Sequence, residues 1–324
     1  VWMATRLAGK DTRFLPFNQG SNGAGRDGGA GNPPNPSGYL TAYLWEEVFQ
    51  KNSMMDILQK FMSLQDGKTL IFPRYHQLDV VRKLVADVRQ KGAGQHYLIQ
   101  HSAGSGKSNS IAWTAYRLAS LFNTENKPVF ASVIVVTDRT VLDAQLQETI
   151  SGFDHTLGAV EAIGEDKNSG DLRDAINNGA RIIITTLQKF PVIYTEVNKT
   201  AGKNYAVIID EAQFLTKAQV EMLVEMVDDY DVPVIAYGLR ADFQNNFFEG
   251  SQWLMAWADT IEEIKTICWC GRKATCNARV VDGRVVQEGE QVVLGGNGQY
   301  VSLCRKHFRR GELGDFEDLH LGED

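Results

Sequence analysis

Tyr97-Leu98-Ile99-Gln100-His101-Ser102-Ala103-Gly104-Ser105-Gly106-Lys107-Ser108 decides how the rest of the chain is read. Residues 97–100 have the length and apolar character of a buried strand. They run into a glycine-serine loop, residues 103–108, and then into an apolar helix pattern over residues 111–121. Strand, glycine loop and helix in that order make a phosphate cradle. The glycines let backbone N–H groups turn inward around phosphate oxygens, and the helix start adds partial positive charge. Lys107 is placed to reach the β- and γ-phosphates of a nucleoside triphosphate, and Ser108 to ligate magnesium. His101 and Ser102 stand where the longer form of this loop begins with glycine, a departure that helicase-type loops tolerate.

A second motif fits the first. Val207-Ile208-Ile209-Asp210-Glu211 is an apolar strand that delivers two carboxylates at its C-terminal end, which is where ligands bind in open α/β sheets. Asp210 is expected to hold magnesium through water, and Glu211 to act as base on the attacking nucleophile. The two loops are expected on neighbouring strands. Further strands are read at residues 132–137, 181–185 and 232–237, with helices between them, so a parallel sheet covered on both faces is predicted. Upstream, apolar residues at helical spacing predict one helix over residues 39–64, through Leu44, Val48, Met55, Leu58 and Met62, and a second over residues 77–91.

Composition narrows the alternatives. A length of 324 residues allows one large domain or two ordinary ones. The formal net charge of −7 argues against a surface that grips nucleic acid throughout, while leaving room for a local basic groove. No apolar run approaches the ~18 residues needed to span a bilayer, and residues 1–10 lack a signal-peptide core. A cytoplasmic chain with no membrane partner is expected. The chain opens on Val1 rather than methionine, as a fragment would. Residues 1–38, dense in glycine and carrying Pro33, Pro34 and Pro36, read as a flexible arm.

Cys268, Cys270, Cys276 and Cys304 all lie near the C-terminus, which in a cytoplasmic chain points to metal more than to disulfides. Cys268 and Cys270 flank one residue, and Cys304 and His307 have two between them. A hairpin-like stretch, residues 279–299, would bring the pairs together as a closed, structural zinc site. Cys276 reads as a small buried residue.

Two family resemblances are carried by these residues. Residues 5–212 resemble the ATPase motor of the restriction subunit of type I restriction enzymes. The matching strings include Thr5-Arg6-Leu7-Ala8-Gly9-Lys10, Tyr43-Leu44-Trp45-Glu46-Glu47-Val48, Arg74-Tyr75-His76-Gln77, Val135-Val136-Thr137-Asp138-Arg139 and Thr185-Thr186-Leu187-Gln188-Lys189-Phe190. The resemblance implies that Gln77 contacts adenine, and that Asp138-Arg139 and Thr185-Thr186 line a DNA track. That family continues its carboxylate motif Asp-Glu-Ala-His; here Gln213 stands in the last place. Residues 210–308 resemble the C-terminal half of the cellular-type thymidine kinases. This likeness is carried by Asp210-Glu211-Ala212-Gln213-Phe214-Leu215, Tyr237-Gly238-Leu239-Arg240-Ala241-Asp242-Phe243, Cys268-Trp269-Cys270-Gly271-Arg272-Lys273-Ala274-Thr275 and residues 295–308. It implies zinc at the same four ligands, Phe243 stacked on thymine, a loop of Val293, Leu294, Gly295, Gly296 and Asn297 closing over the base, and Tyr300 behind it. The seam between the two likenesses falls near residues 205–213.

The expected architecture is α/β: a RecA-like P-loop parallel sheet over residues 39–262, a small zinc-binding module over residues 263–310 and an acidic tail over residues 311–324. Two functions stay open. One is a thymidine kinase using ATP, Mg2+ and structural Zn2+, with thymidine as substrate and a homo-oligomer as a candidate assembly. The other is a DNA-dependent ATPase fragment of a restriction motor, in which Glu211 orients water.

Overall fold

The chain begins with short antiparallel pairs, β1 (Trp2–Met3) with β2 (Leu15–Pro16), then helix α1 (Lys51–Lys60) and the pair β3 (Ser63–Gln65) with β4 (Thr69–Ile71). The structure is a computed structural model, and it describes residues 1–65, 69–92, 95–101, 106–123, 125–137, 146, 149–151, 160–163, 167–199, 204–264, 266–289 and 300–314. Seven strands form the main sheet: β5 (His96–His101), β6 (Ser132–Thr137), β7 (Val160–Ile163), β8 (Ile182–Thr186), β9 (Tyr205–Ile209), β10 (Val234–Leu239) and β11 (Thr260–Glu263). Their order is β11-β5-β10-β9-β6-β8-β7, and every neighbouring pair is parallel.

Alternate residues of each strand face opposite sides. Ile99, Val133, Val135, Ile208 and Ile235 pack with α2 (Tyr75–Lys91) and α3 (Lys107–Ala119). Leu98, Ile134, Val136, Val207 and Ala236 pack on the other side with α4 (Ser169–Asn177), α5 (Phe190–Lys199), α6 (Lys217–Asp228) and α7 (Glu249–Trp257). A parallel sheet buried on both faces needs such continuous apolar strands. Among the described residues no helix is long and apolar enough to cross a membrane.

The sheet corrects two expectations. The phosphate-loop strand β5 and the carboxylate strand β9 are not neighbours, because β10 lies between them. The predicted single helix over residues 39–64 is also divided. One wide turn, Leu44–Val48, is closed by the Phe49 N–H on the Leu44 carbonyl at 2.6 Å. Gln50 then turns extended before α1 begins. The break rotates the helix, so Ile57 and Phe61 enter the core while Met55 and Leu58 stay exposed. Strands β7 and β11 escape the sequence reading: they are short and carry glutamates, so the periodic signal is weak.

The arm, residues 1–38, is mostly irregular but anchored. Phe17 is buried edge-on against Tyr75, and the Gln19 side chain donates to the Tyr75 hydroxyl at 2.8 Å. Further on, the Ala30 N–H donates to the Gly271 carbonyl at 2.7 Å. That carbonyl belongs to the C-terminal module, in which β12 (Thr266–Ile267) pairs β13 (Lys273–Ala274), and β14 (Cys276–Val281) pairs both β15 (Arg284–Val286) and β16 (Tyr300–Leu303). Helix α8 (Arg305–Arg310) closes it, bringing Phe308 into the core with Ala278 and Leu303. Most of the predicted acidic tail, residues 315–324, lies outside the described residues.

Candidate active site

Helix α3 starts at Lys107 itself, four residues before its apolar pattern is legible. Its first side chain spans the gap across β10. Lys107 Nζ lies 2.8 Å from Asp210 Oδ1 and 2.5 Å from Glu211 Oε1. Asp210 follows the end of β9, where its N–H donates to the Val136 carbonyl at 2.7 Å. Glu211 adopts a left-handed backbone, φ 51°, and its N–H donates to Asp210 Oδ1 at 2.7 Å. Non-glycine residues rarely sit there, and such strain gathers at functional sites. The turn folds both carboxylates back toward one ammonium.

The electrostatics follow from that count of charges. Burial works against the Lys107 ammonium, but the Asp210 and Glu211 carboxylates outweigh it and raise its pKa. Burial lifts the Asp210 carboxyl above its ordinary value; Lys107 pulls it down, and the Glu211 charge pushes it up again. A buried and a partly buried carboxylate sharing one cation leave the site short of positive charge, which suits a divalent cation on oxygen donors. Gly106, Lys107 and Ser108 are in place at the helix start, while Ala103, Gly104 and Ser105 lie outside the described residues. So do Asp138 and Arg139. Thr185 and Thr186 are buried at the end of β8, where sheet packing rather than an open track surrounds them.

Two carboxamides brace the site. Gln77 accepts from the Arg74 N–H and donates to the Gly106 carbonyl, each at 2.8 Å, so it ties the start of α2 to Gly106 at the start of α3. Gln213 donates to Glu211 Oε2 and accepts from the Leu239 N–H at 3.1 Å. The sequence shows Gln213 as a departure from the motor pattern and as part of the kinase-like string, with no sign of this bracing role.

The expected nucleoside residues are partly placed. Val293, Leu294, Gly295, Gly296 and Asn297 lie outside the described residues. Phe243 is 1% exposed, and the Arg279 guanidinium carbon sits 3.6 Å from its ring centroid. As it stands, the Arg279 guanidinium occupies a face of the ring on which thymine is expected to stack. Arg279, from β14, also donates through Nη2 to the Tyr300 hydroxyl at 3.0 Å, so it bridges both aromatic residues. Nothing in the alternation of β14 distinguishes Arg279 from a surface arginine.

The four zinc candidates converge. The donor atoms of Cys268, Cys270, Cys304 and His307 all lie within 4.8 Å of one another. Cys270 and Cys304 sulfurs are 3.9 Å apart, and Cys268 Sγ is 3.4 Å from His307 Nδ1. A tetrahedron with Zn–S of about 2.3 Å and Zn–N of about 2.05 Å has edges of roughly 3.8 and 3.5 Å, so the donor set fits zinc in kind and in spacing. Glu312 stands 3.6 Å from His307 Nε2, the usual outer partner of a ligating histidine. Trp269 stacks on that ring at 4.2 Å. Burial pushes the Cys268 thiol up to about 11. Burial also works to raise Cys304, but the His307 N–H and the neighbouring thiols hold it below the usual range. Cys276 is buried apart from this set in the module core, as expected.

Residues 145–308 match the thymidine kinase family model. The thymidine kinase of Legionella pneumophila (strain Lens) is 55% identical over 124 residues, covering 38% of this chain and 59% of the relative. That of Coxiella burnetii (strain RSA 493 / Nine Mile phase I) is 60% identical over 107 residues, covering 33% and 55%. The chain thus spans between half and two thirds of the curated relatives it matches. Among solved structures, the UvsW helicase from Bacteriophage T4 superposes with a TM-score of 0.44 at 13% identity, covering 67% of this chain and 68% of the other. That likeness is too loose to assign anything.

Proposed function

The chain belongs to the thymidine kinase family, and from that premise we propose that it transfers the γ-phosphoryl group of ATP to the 5′-hydroxyl of thymidine. The observation that carries this reading is the meeting of Lys107 with Asp210 and Glu211 at the C-terminal edge of the sheet. In the proposed reaction Glu211 takes the proton of the 5′-hydroxyl. The freed oxygen attacks the γ-phosphorus in line, the bond to the β–γ bridging oxygen breaks, and ADP leaves. Lys107 leaves the carboxylates for the β- and γ-phosphates as ATP seats. Asp210 and Ser108 would hold magnesium, which supplies charge neutralisation on the transferring group. Tyr300 and Phe243, with residues 293–297, would form the nucleoside side, and Arg279 would have to move or share its place with the base. Cys268, Cys270, Cys304 and His307 would hold a structural zinc.

A second reading is a DNA-dependent ATPase of the type I restriction motor, in which Glu211 orients water. It is favoured by the motor-like strings before residue 205 and by Gln77, which donates a hydrogen bond to the Gly106 carbonyl. Radiolabelled ATP separates the two, incubated once with thymidine and once with duplex DNA. Labelled thymidine monophosphate supports the kinase. Phosphate release that grows with DNA, with no labelled nucleotide, replaces it with the motor. Sedimentation of the same preparation tests the proposed homo-oligomer.

A further inference from the structure

We infer that Gln213 positions the Glu211 carboxylate, tying it to the end of β10 and so to the loop that carries Phe243. This rests on Glu211 serving as base in the proposed reaction. The geometry is two-sided. Glu211 Oε1 faces Lys107, and Glu211 Oε2 receives the Gln213 carboxamide. When Lys107 moves to phosphate, Gln213 still holds Glu211 Oε2. Its own carbonyl end is anchored by the Leu239 N–H at 3.1 Å, so a shift at the end of β10 is passed to Glu211 through one side chain.

The surrounding backbone is shaped for this contact. Gln213 is 2% exposed within the short turn Ala212–Phe214. A Cβ at residue 238 would lie 2.8 Å from Gln213 Oε1 and 3.1 Å from its backbone nitrogen, so Gly238 leaves the room the carboxamide occupies. The Ser251 hydroxyl donates to the Leu239 carbonyl at 2.5 Å and pins the same residue from α7. Phe243 follows four residues later, and the intervening Asp242 is buried, accepting from the Gln244 and Asn246 N–H groups at 2.9 and 2.8 Å. The nucleoside side and the base are therefore joined by a short path through Gln213, Leu239 and the buried Asp242. A buried amide needs partners in any structure, so the distinguishing question is whether its contact with Glu211 acts on turnover.

Two substitutions divide the contacts. Gln213→Glu keeps an acceptor for the Leu239 N–H but sets a second acidic group against Glu211 in place of the neutral amide donor. Gln213→Leu removes both. Thymidine phosphorylation by the full chain is measured with radiolabelled ATP for these, the parent and Glu211→Gln, together with hydrogen exchange at the Leu239 amide. A displaced base costs about 10- to 100-fold in rate for errors up to about 1 Å. Both Gln213 variants should lose that much kcat, with KM for ATP within about twofold. The Leu239 amide should exchange faster in Gln213→Leu and stay protected in Gln213→Glu. Parental kcat in Gln213→Glu, with Leu239 protected and Glu211→Gln inactive, overturns the positioning role alone. Full turnover in Glu211→Gln, or no labelled product from the parent chain, overturns the assignment of the base and the positioning role with it.

Discussion

Gly250→Ala tests how tightly the turn after Glu211 is clamped. Gly250 lies in the first turn of α7, and its backbone is not among the positive-φ residues, so alanine meets no conformational penalty there. Space is the issue. A Cβ would stand 2.5 Å from the Ala212 carbonyl oxygen and 2.8 Å from each of the Gln213 and Leu215 oxygens. All three are backbone atoms, and none can rotate aside. Reaching even 3.0 Å from the nearest oxygen moves helix or turn by about 0.5 Å, and an ordinary contact requires nearly twice that. Overpacking of this kind costs about 1–3 kcal/mol. Alanine returns at most about 1 kcal/mol in helix propensity, and less at a helix start, so the clash wins by about 1–2 kcal/mol. At about 2–4 °C per kcal/mol for a chain of this size class, Tm should fall by about 2–8 °C. The turn it displaces carries Glu211, so kcat should fall by about 10-fold or more. Calorimetry and the thymidine assay on the same preparation check both. An unchanged or raised Tm would refute the close-packed clamp, and a lowered Tm with parental kcat would separate the clamp from the base.

Other outcomes follow from the site and the module. Lys107→Ala should weaken Mg-ATP binding by about 30-fold or more in titration calorimetry, because the buried Asp210 and the partly buried Glu211 are left with no ammonium between them; unchanged affinity rejects the phosphate-loop assignment. Elemental analysis should find one zinc per chain, and Cys304→Ser should lose it and loosen the module, since structural zinc contributes folding energy directly; full zinc in the variant rejects the four-ligand set. Burial depresses His101 well below its usual range, helped by the Lys107 and His76 charges, and burial likewise depresses His96. A folded pKa that is lowered gives stability that is present above the unfolded value near 6.5 and is lost as pH falls toward the folded one. Urea unfolding should therefore weaken below pH 6.5 by up to about 1.4 kcal/mol per pH unit per histidine, and His101→Gln should flatten that slope; an identical slope in the variant assigns the loss elsewhere.

Much of this was legible because strong local signals coincide with the sheet. Asp210 and Glu211 end an apolar run of strand length, Lys107 closes a glycine loop between such a strand and an apolar helix, and the pair spacings of Cys268, Cys270, Cys304 and His307 limit how the module can close. What stayed hidden depends on partners distant in sequence. No local pattern says that β10 inserts between β5 and β9, since strand order is a tertiary choice. The break at Gln50 answers to the burial of Ile57 and Phe61 against α3, not to helix propensity. Arg279 looks like a solvent residue until Phe243 and Tyr300 are seen on either side of it, and Gln213 looks like a motif variant until Leu239 is found behind it.

The docking of the arm on the cysteine knuckle imposes an order in time. Gly29 and Ala30 rest on the Gly271 carbonyl, and a Cβ at residue 29 would come within 2.5 Å of it. A ribosome reaches residue 271 about 240 residues after the arm has been made, some 10–50 s at 5–20 residues per second. The phosphate-loop strand waits as well, because both its sheet neighbours, β10 and β11, are translated long after it. During that interval an apolar strand with two open edges and the ring of Phe17 have no native place to go, and unpaired edges are templates for aggregation. Yield of this protein should therefore respond to translation speed and to holding chaperones more strongly than its final stability would suggest.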